Sequence, residues 1–399
     1  MSLEQSLSLF LVALAAAVLP SLSRVVRLPA SVMEILFGVV LGKSLLDLQV
    51  GGSWLEFLAQ LGFLMLMFHS GMEIDFHMLL QQGRTQVWVQ VLVFCATLSL
   101  SLSFSLFMGF GGFMALVMAT TSLGLVMPAL KEAGVSRTPF GQNLLVAASL
   151  ADFLTLLGIT FFVLWHQFGF NWHFFMPLPL FLAFAILLWA GRLWVWWHPE
   201  QAEYFLGSED SQELGVRFSL ALLFLFVALS ELVHLEPALG AFMGGCVLSF
   251  LFREKEELEN KLSALGLGFL VPIFFIHVGM QFDLKNVLGR DQLLLAVQLL
   301  AAAFAVKVLP SLLFRIQGMD FRSTLQAGAL LSSRLSLIVA AASIGVKEGL
   351  IGTAMKDAIV LLALLTCLLG PTLFKLTHRQ SARSATTDRA KNVRRRRPA

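Results

Sequence analysis

Thirteen apolar runs follow one another along this chain, separated only by short charged or Pro/Gly-rich breaks. Their approximate limits are 7–22, 32–48, 54–71, 87–109, 112–130, 140–165, 174–197, 213–233, 237–252, 264–281, 292–314, 325–346 and 350–374. A run of about 20 apolar residues, coiled as a helix, spans the hydrocarbon of a bilayer and satisfies its own backbone hydrogen bonds there. Spanning strands would alternate apolar and polar residues, which these runs do not do. The charge content agrees: 13% of the residues are charged, against about 25% in a soluble domain that faces water all round. The runs use nearly the whole length and leave no stretch of about 100 residues for a soluble domain. The sequence therefore specifies an all-α polytopic membrane protein with about 13 transmembrane helices. Its first residues, Met1-Ser2-Leu3-Glu4-Gln5, lack the basic start and small-residue cleavage site of a secretory signal, so the first run counts as a span.

The net charge of +3 hides a division. Residues 375–399 carry nine Lys/Arg (Lys375, Arg379, Arg383, Arg389, Lys391 and Arg394 to Arg397) against Asp388 alone, so the remainder holds 19 basic and 24 acidic residues. A basic tail can meet nucleic acid or anionic lipid. After a membrane bundle the plainer expectation is a disordered cytoplasmic end at 375–399, with the bilayer as partner and no nucleic acid. Alternate loops then sort by charge. The tail side holds Arg24, Arg27, Arg84, Lys131, Arg137, Arg192, Arg253, Lys255, Lys261, Arg315 and Arg322, and the other side Lys43, Lys285, Arg290, Lys347 and Lys356. Eleven against five follows the positive-inside rule. An odd number of spans puts the N-terminus outside and the C-terminus in the cytoplasm. Cys95, Cys246 and Cys367 lie in apolar runs without metal-ligand spacing and read as small core residues.

The second half of the chain repeats the first. Phe68-His69-Ser70-Gly71-Met72-Glu73-Ile74-Asp75-Phe76 recurs as Ile276-His277-Val278-Gly279-Met280-Gln281-Phe282-Asp283-Leu284, 208 residues later. Pro29-Ala30 recurs as Pro237-Ala238 at the same offset, and Gly83-Arg84 as Gly289-Arg290 at 206. Thr120-Thr121-Ser122-Leu123-Gly124-Leu125 matches Ser332-Ser333-Arg334-Leu335-Ser336-Leu337 more weakly at 212. The offset covers seven runs, an odd number, so equivalent helices cross in opposite directions. That is the inverted-repeat plan of secondary transporters. Residues 1–374 then form one transmembrane domain, with repeats at 7–165 and 213–374 joined by a linker helix at 174–197.

Charges inside apolar runs stand out against this background. Asp152 sits mid-run among Ala147-Ala148-Ser149-Leu150-Ala151 and Phe153-Leu154. A charge at mid-bilayer costs about 2.5–3.5 kcal/mol on insertion scales, and an acid kept there usually faces a cavity or binds an ion or proton. The plainer alternative is a protonated Asp that bridges two helices. Lys307, three residues before Pro310, meets the same penalty, with snorkelling as its alternative. Arg334 is the third such charge, and Glu34, in Met33-Glu34-Ile35-Leu36, lies nearer a run end. His69 and His277 fall near run ends in different halves and read as structural rather than pH-sensing.

Two runs carry polar interruptions. Ala119-Thr120-Thr121-Ser122-Leu123-Gly124-Leu125-Val126-Met127-Pro128 places hydroxyls, a glycine and a proline inside one, and Ser332-Ser333-Arg334-Leu335-Ser336 is similarly polar at the matching place in the other. Interrupted helices in equivalent positions of two inverted halves point to a substrate site, because unwound carbonyls can coordinate cations.

Together these segments resemble the monovalent cation:proton antiporters, second group, which contains bacterial Na+/H+ and K+/H+ antiporters. The family's Pro and G-E-I-L-x-G-x-x-L-G helix appears as Pro29 and Met33-Glu34-Ile35-Leu36-Phe37-Gly38-Val39-Val40-Leu41-Gly42, and its G-x-E-x-D as Gly71-Met72-Glu73-Ile74-Asp75. Its crossing helix with P-x-L-K-E appears as Thr120 to Ser122 and Pro128-Ala129-Leu130-Lys131-Glu132. Its T-P-x-G-Q appears as Thr138-Pro139-Phe140-Gly141-Gln142, ten residues before Asp152. Its P-x-F-F-x-x-V-G-M appears as Pro272-Ile273-Phe274-Phe275-Ile276-His277-Val278-Gly279-Met280, and its membrane lysine falls on Lys307.

The resemblance implies a homodimer with a dimer-forming panel and a mobile core, in which two broken helices cross beside the ion-binding aspartate. It implies exchange of Na+ or K+ for H+ by alternating access, with no cofactor and no enzymatic activity. Asp152 would take cation or proton at the break formed by Thr120, Thr121 and Ser122, and Lys307, Arg334 and Glu34 would be supporting charges. The sequence departs from the family where Asp, Asn or Gln usually precedes the aspartate, since Ala151 stands there. Lys307 must then lean on Asp152 itself, on broken-helix carbonyls or on water. R-G-E of the second crossing helix becomes Arg334-Leu335-Ser336, and no glycine fingerprint of a nucleotide-binding domain follows the last run. Two alternatives remain at this level: a sodium-coupled organic-anion symporter of the same general plan, and a non-transporting sensor derived from an antiporter.

Overall fold

The computed structural model describes residues 3–26, 28–46, 53–74, 84–169, 177–197, 213–233, 235–252, 256–284 and 289–395. Among them every regular element is helical: α1 (Leu3–Val26), α2 (Ala30–Leu41), α3 (Ser53–Met72), α4 (Arg84–Phe107), α5 (Gly111–Ala119), α6 (Leu123–Glu132), α7 (Pro139–Phe168), α8 (Pro177–Trp197) and α9 (Leu214–Leu232). They continue as α10 (Pro237–Leu251), α11 (Glu256–Leu265), a π-helical turn (Gly266–Leu270), α12 (Val271–Gln281), α13 (Arg290–Ser311) and a 3₁₀ turn (Leu312–Gln317). The last three are α14 (Phe321–Leu331), α15 (Ser336–Lys347) and α16 (Thr353–Arg395). Asp75 of the Gly71–Asp75 motif, Gly83, and the loop cations Arg27, Arg253, Lys255 and Lys285 lie outside the described residues.

Among the described residues, eight helical stretches are long and apolar enough to cross a bilayer, with α5 and α6 counted as one, and nine if the interrupted pair α14 and α15 also counts as one span. Four further apolar runs appear as shorter helices, at Leu9–Ser23, Ala30–Leu41, Leu178–Trp194 and Pro237–Leu251. The 12 residues of α2 extend only about 18 Å at 1.5 Å per residue, against about 30 Å of hydrocarbon. Length alone thus gives eight or nine full spans where the hydropathy pattern marks thirteen runs. The chain is a multi-pass integral membrane protein. The joint between α4 and α5 is made by Gly109 and Gly111, at φ 76° and 78°, a left-handed conformation open to glycine without a Cβ penalty.

The chain divides into two compact units. The first comprises Met1–Gln82, Phe153–Ala296 and Ser336–Leu361. Within it, α2 packs on α12 and α3 packs on α10, so each half's early helix meets the other half's next one. Glycines set both crossings. A Cβ on Gly38 would lie 2.1 Å from the Ile276 carbonyl oxygen, and one on Gly279 would lie 2.1 Å from that of Ile35. At the other crossing, a Cβ on Gly71 would lie 2.1 Å from the Phe242 oxygen, and one on Gly245 would lie 2.0 Å from the Phe68 oxygen. Small residues let helix backbones approach this closely, which is how packing energy is gained between helices in lipid. His69 is buried beside the Leu262 carbonyl oxygen, 3.3 Å from its Nε2. Glu34 is buried on α2. Cys246 and Cys367 are buried, but Cys95 is exposed on α4, so the core reading of that cysteine is corrected: its side chain leaves the apolar helix on the outward side.

The second unit comprises Gly83–Asp152, Val297–Leu335 and Leu362–Ala399. Its core joins Val126 and Leu130 of α6, Leu144 and Ala148 of α7, Phe314, Leu330 of α14 and Phe374 of α16. Both helix interruptions belong to this unit.

Candidate functional site

The first interruption is a three-residue extended link. α5 ends at Ala119, Thr120 and Ser122 take φ/ψ of −54°/154° and −142°/107°, and α6 starts at Leu123. Thr120 turns its hydroxyl back onto the Val117 carbonyl at 2.8 Å, the local bonding by which threonine competes with helix continuation. Pro128 removes one further amide from α6. Breaking a helix leaves carbonyls at the end of one half and N–H groups at the start of the next without helical partners. In hydrocarbon such groups must be met from within the protein.

Asp152, Lys307 and Arg334 meet them. Arg334 donates from Nη1 to the Met118 oxygen at 2.7 Å, and Lys307 donates from Nζ to the Ala119 oxygen at 2.6 Å. Both carbonyls belong to the last turn of α5, where the aligned peptide dipoles place partial negative charge. At the other side of the break, Asp152 accepts the Leu123 amide on Oδ2 at 3.2 Å. That amide opens α6, where the partial charge is positive. Each ion therefore sits at the half-helix end of opposite sign. All three are inside the protein: Asp152 is 7% exposed, Lys307 5% and Arg334 0%.

The remaining contacts fix these groups in place. Lys307 also donates to the Thr121 hydroxyl at 2.6 Å, so the broken helix is among the partners the structure supplies to it. Arg334 donates from Nη2 to the Ala303 oxygen at 2.8 Å, one turn before Lys307 on α13. The second interruption, Ser332–Leu335, begins where Ser332 bonds back to the Gly328 carbonyl at 2.7 Å. It packs against α16 at Gly370, where a Cβ would stand 2.2 Å from Ser333 Oγ. The Thr366 hydroxyl, 3.5 Å from the Arg334 carbonyl oxygen, lies on the same helix.

Thr120, Thr121, Ser122, Asp152, Lys307 and Arg334 are thus brought together in the second unit, whereas Glu34 belongs to the first. The oxygen-rich segment Thr120–Ser122 with the Asp152 carboxylate offers the hard donors that a Na+- or K+-sized ion takes. No group of three or more His, Cys, Asp or Glu that could hold a metal occurs among the described residues. Sequence reasoning passed over Gln90, which is 1% exposed, donates to the Asn143 carbonyl at 3.2 Å and shares a cavity wall with Thr97, Thr121 and Lys307. Its signal was present as an amide inside Val87-Trp88-Val89-Gln90-Val91, an otherwise apolar stretch.

Residues 10–377 match the family described as sodium/hydrogen exchanger, transmembrane. The chain is 33% identical over 374 residues to the putative Na(+)/H(+) antiporter YjbQ of Bacillus subtilis (strain 168), covering 88% of this chain and 59% of that protein. It thus spans less than two thirds of that relative's length. Against the probable Na(+)/H(+) antiporter 3 of Methanocaldococcus jannaschii it is 28% identical, covering 90% of this chain and 92% of the other. Against the Na(+)/H(+)-K(+) antiporter GerN of Bacillus cereus the identity is 24%, with 88% and 90% covered. The solved structure of the sodium proton antiporter MjNhaP1 from Methanocaldococcus jannaschii at pH 8 superposes with a TM-score of 0.70 at 13% identity, over 94% of this chain and 99% of that one. At that identity the likeness speaks for the fold.

Proposed function

The chain belongs to the sodium/hydrogen exchanger transmembrane family, and on that premise we propose that it is a secondary active transporter exchanging a monovalent cation for H+ by alternating access. The observation that carries this reading is the position of Asp152 at the break before α6, within hydrogen-bond reach of the Leu123 amide. A carboxylate there can bind a cation or a proton on the same oxygens but not both. Competition of that kind couples the two fluxes without any further device. Lys307 and Arg334 hold the opposite half-helix end, and Asp152 is the acid to which this reading assigns the exchange.

The finer points follow from the same reading. Na+ or K+ is the cargo, and the second unit, which holds the site, is the body that changes its exposure. The protein works as a homodimer in the bacterial inner membrane without a cofactor, and residues 375–399 form its cytoplasmic tail. A symporter for organic anions would place cationic or amide groups around an open substrate cavity. Here the cationic groups are spent on backbone carbonyls at 2.6–2.8 Å, which favours the antiporter.

The test is an acid-pulse fluorescence assay in inside-out vesicles, with Na+, K+ or Li+ added in turn. The wild-type chain should dissipate the proton gradient with at least one of them. Asp152→Asn keeps the volume and an oxygen to accept the Leu123 amide, so it should reach the membrane folded and show no exchange. Wild-type rates in that variant would remove Asp152 from the site, and a lack of response to every cation would remove the antiporter reading.

A further inference from the structure

A cavity of about 20 Å3 lies inside the second unit, with Gln90, Thr97, Thr121, Ala151 and Lys307 among its walls. One water molecule needs at least about 10–15 Å3 on that measure, together with two or more polar partners. The partners are present. Gln90 spends its amide N–H on Asn143, while its Oε1 is buried with no hydrogen-bond partner among the described residues. An exchange of the amide's O and N would leave the other atom in the same position, so one end of Gln90 lacks a partner either way. Lys307 has three N–H donors, of which the Ala119 carbonyl and the Thr121 hydroxyl take two. Ala151 contributes only a methyl group to the cavity wall.

An unmet buried acceptor costs about 1–3 kcal/mol, and an incompletely bonded ammonium more. Both residues line one small space. A molecule that accepts from Lys307 and donates to Gln90 removes both deficits, and it must be small and neutral. A cation would face the ammonium directly, and an anion would face the Gln90 oxygen. We propose that this cavity is a binding site for one water molecule, which accepts from Lys307 Nζ and donates to Gln90 Oε1 in the space that Ala151 leaves open. The water is the third ligand of Lys307 in a cavity where position 151 supplies no carboxylate. Gln90 is its positioning residue. The inference rests on packing and hydrogen bonding and holds whether or not the chain exchanges ions.

The test has two parts. A structure of the full chain at a resolution that shows ordered waters, determined once in NaCl and once in choline chloride, should show one density peak within hydrogen-bond distance of both Lys307 Nζ and Gln90 Oε1 in each. A dry cavity, or a peak present only with Na+, overturns the proposal. The second part compares Ala151→Asn with Ala151→Leu, whose side chains have the same number of heavy atoms and the same branching. The Asn amide can take over the water's bonds, so its Tm should stay within about 1 °C of the parent. The Leu side chain expels the water and bonds to nothing, so its Tm should fall by at least about 3 °C. Equal Tm values, or a lower value for Asn than for Leu, overturn the proposal. If the Leu variant yields no folded protein, the density and the Asn value still decide. None of these readouts requires transport, so a dry cavity and a failed exchange assay are separate results.

Discussion

Lys307 and Asp152 serve opposite ends of one backbone interruption, and their substitutions should therefore fail in different ways. Asp152→Asn retains an acceptor for the Leu123 amide, so its loss is functional. Lys307→Ala instead strips the Ala119 carbonyl and the Thr121 hydroxyl of their donor and opens a larger void beside an existing cavity. Orphaned acceptors and lost packing together cost about 2–5 kcal/mol, so the Tm of Lys307→Ala should drop by about 5 °C or more and the variant should lose exchange along with stability. A Lys307→Ala protein as stable as the parent would show that the bonds to the broken helix are incidental. Asp152, Lys307 and Arg334 were legible in the sequence because charge inside an apolar run is costly and therefore conspicuous. Their partners were not. The choice among Asp152, a carbonyl and water for Lys307 depends on where α5 ends relative to α13, a tertiary fact that no local pattern encodes. Gln90 was missed for a related reason, since a neutral amide in an apolar run gives a weaker signal than a charge.

At the level of helices, the repeat was readable and the way its copies interlock was not. The sequence pairs Gly71 with Gly279 as equivalents at an offset of 208. In the first unit, Gly279 instead meets Gly38 of α2, while Gly71 meets α10 beside Cys246. Equivalent residues thus make equivalent contacts, each with the opposite half, as a two-fold relation within one chain requires. Either crossing should be intolerant of a single methyl group. In Gly38→Ala the new Cβ would stand 2.1 Å from the Ile276 oxygen, and in Gly245→Ala 2.0 Å from the Phe68 oxygen, and both obstacles are backbone. Overpacking of this kind costs about 1–3 kcal/mol and can exceed that where the backbone must shift. Each variant should lose several degrees of Tm or fail to yield monodisperse protein, whereas Gly352→Ala, with nothing within 4 Å of its new Cβ, should match the parent. Equal behaviour of all three would mean that the crossings are looser than their geometry. The helix interruptions were legible for a different reason. Hydroxyls beside Gly and Pro compete locally with helix bonding, and that competition is written in the sequence itself.

Across the whole molecule, charge asymmetry predicts the orientation, and in the proposed exchange the count of titrating groups sets the energetics. The excess of basic residues on the tail side predicts that alkaline phosphatase fused after Ala399 is inactive, because that enzyme needs an oxidising compartment; strong activity would invert the topology. Stoichiometry follows from the site. Asp152 is the acid of the cluster, and Ala151 supplies no second one beside it. Lys307 and Arg334 donate hydrogen bonds to carbonyls in the last turn of α5. One carboxylate then carries one proton in one direction or one monovalent cation in the other, and the loaded site has the same net charge either way. Exchange is therefore predicted to be electroneutral. The membrane potential contributes about 2.3 kcal/mol per net charge per 100 mV, which is large enough to separate the cases. In proteoliposomes with equal Na+ or Li+ on both sides and no pH gradient, a K+/valinomycin potential of either sign should drive no proton flux. A flux that needs the cation and reverses with the potential would mean that a second proton moves in each cycle, and Lys307 would be the group to examine for it. The same measurement repeated on Ala151→Asp, which places a carboxylate next to Asp152, asks whether one added acid is enough to make the exchange respond to voltage. If charge count at the site sets the stoichiometry, the variant should respond to the potential where the parent does not.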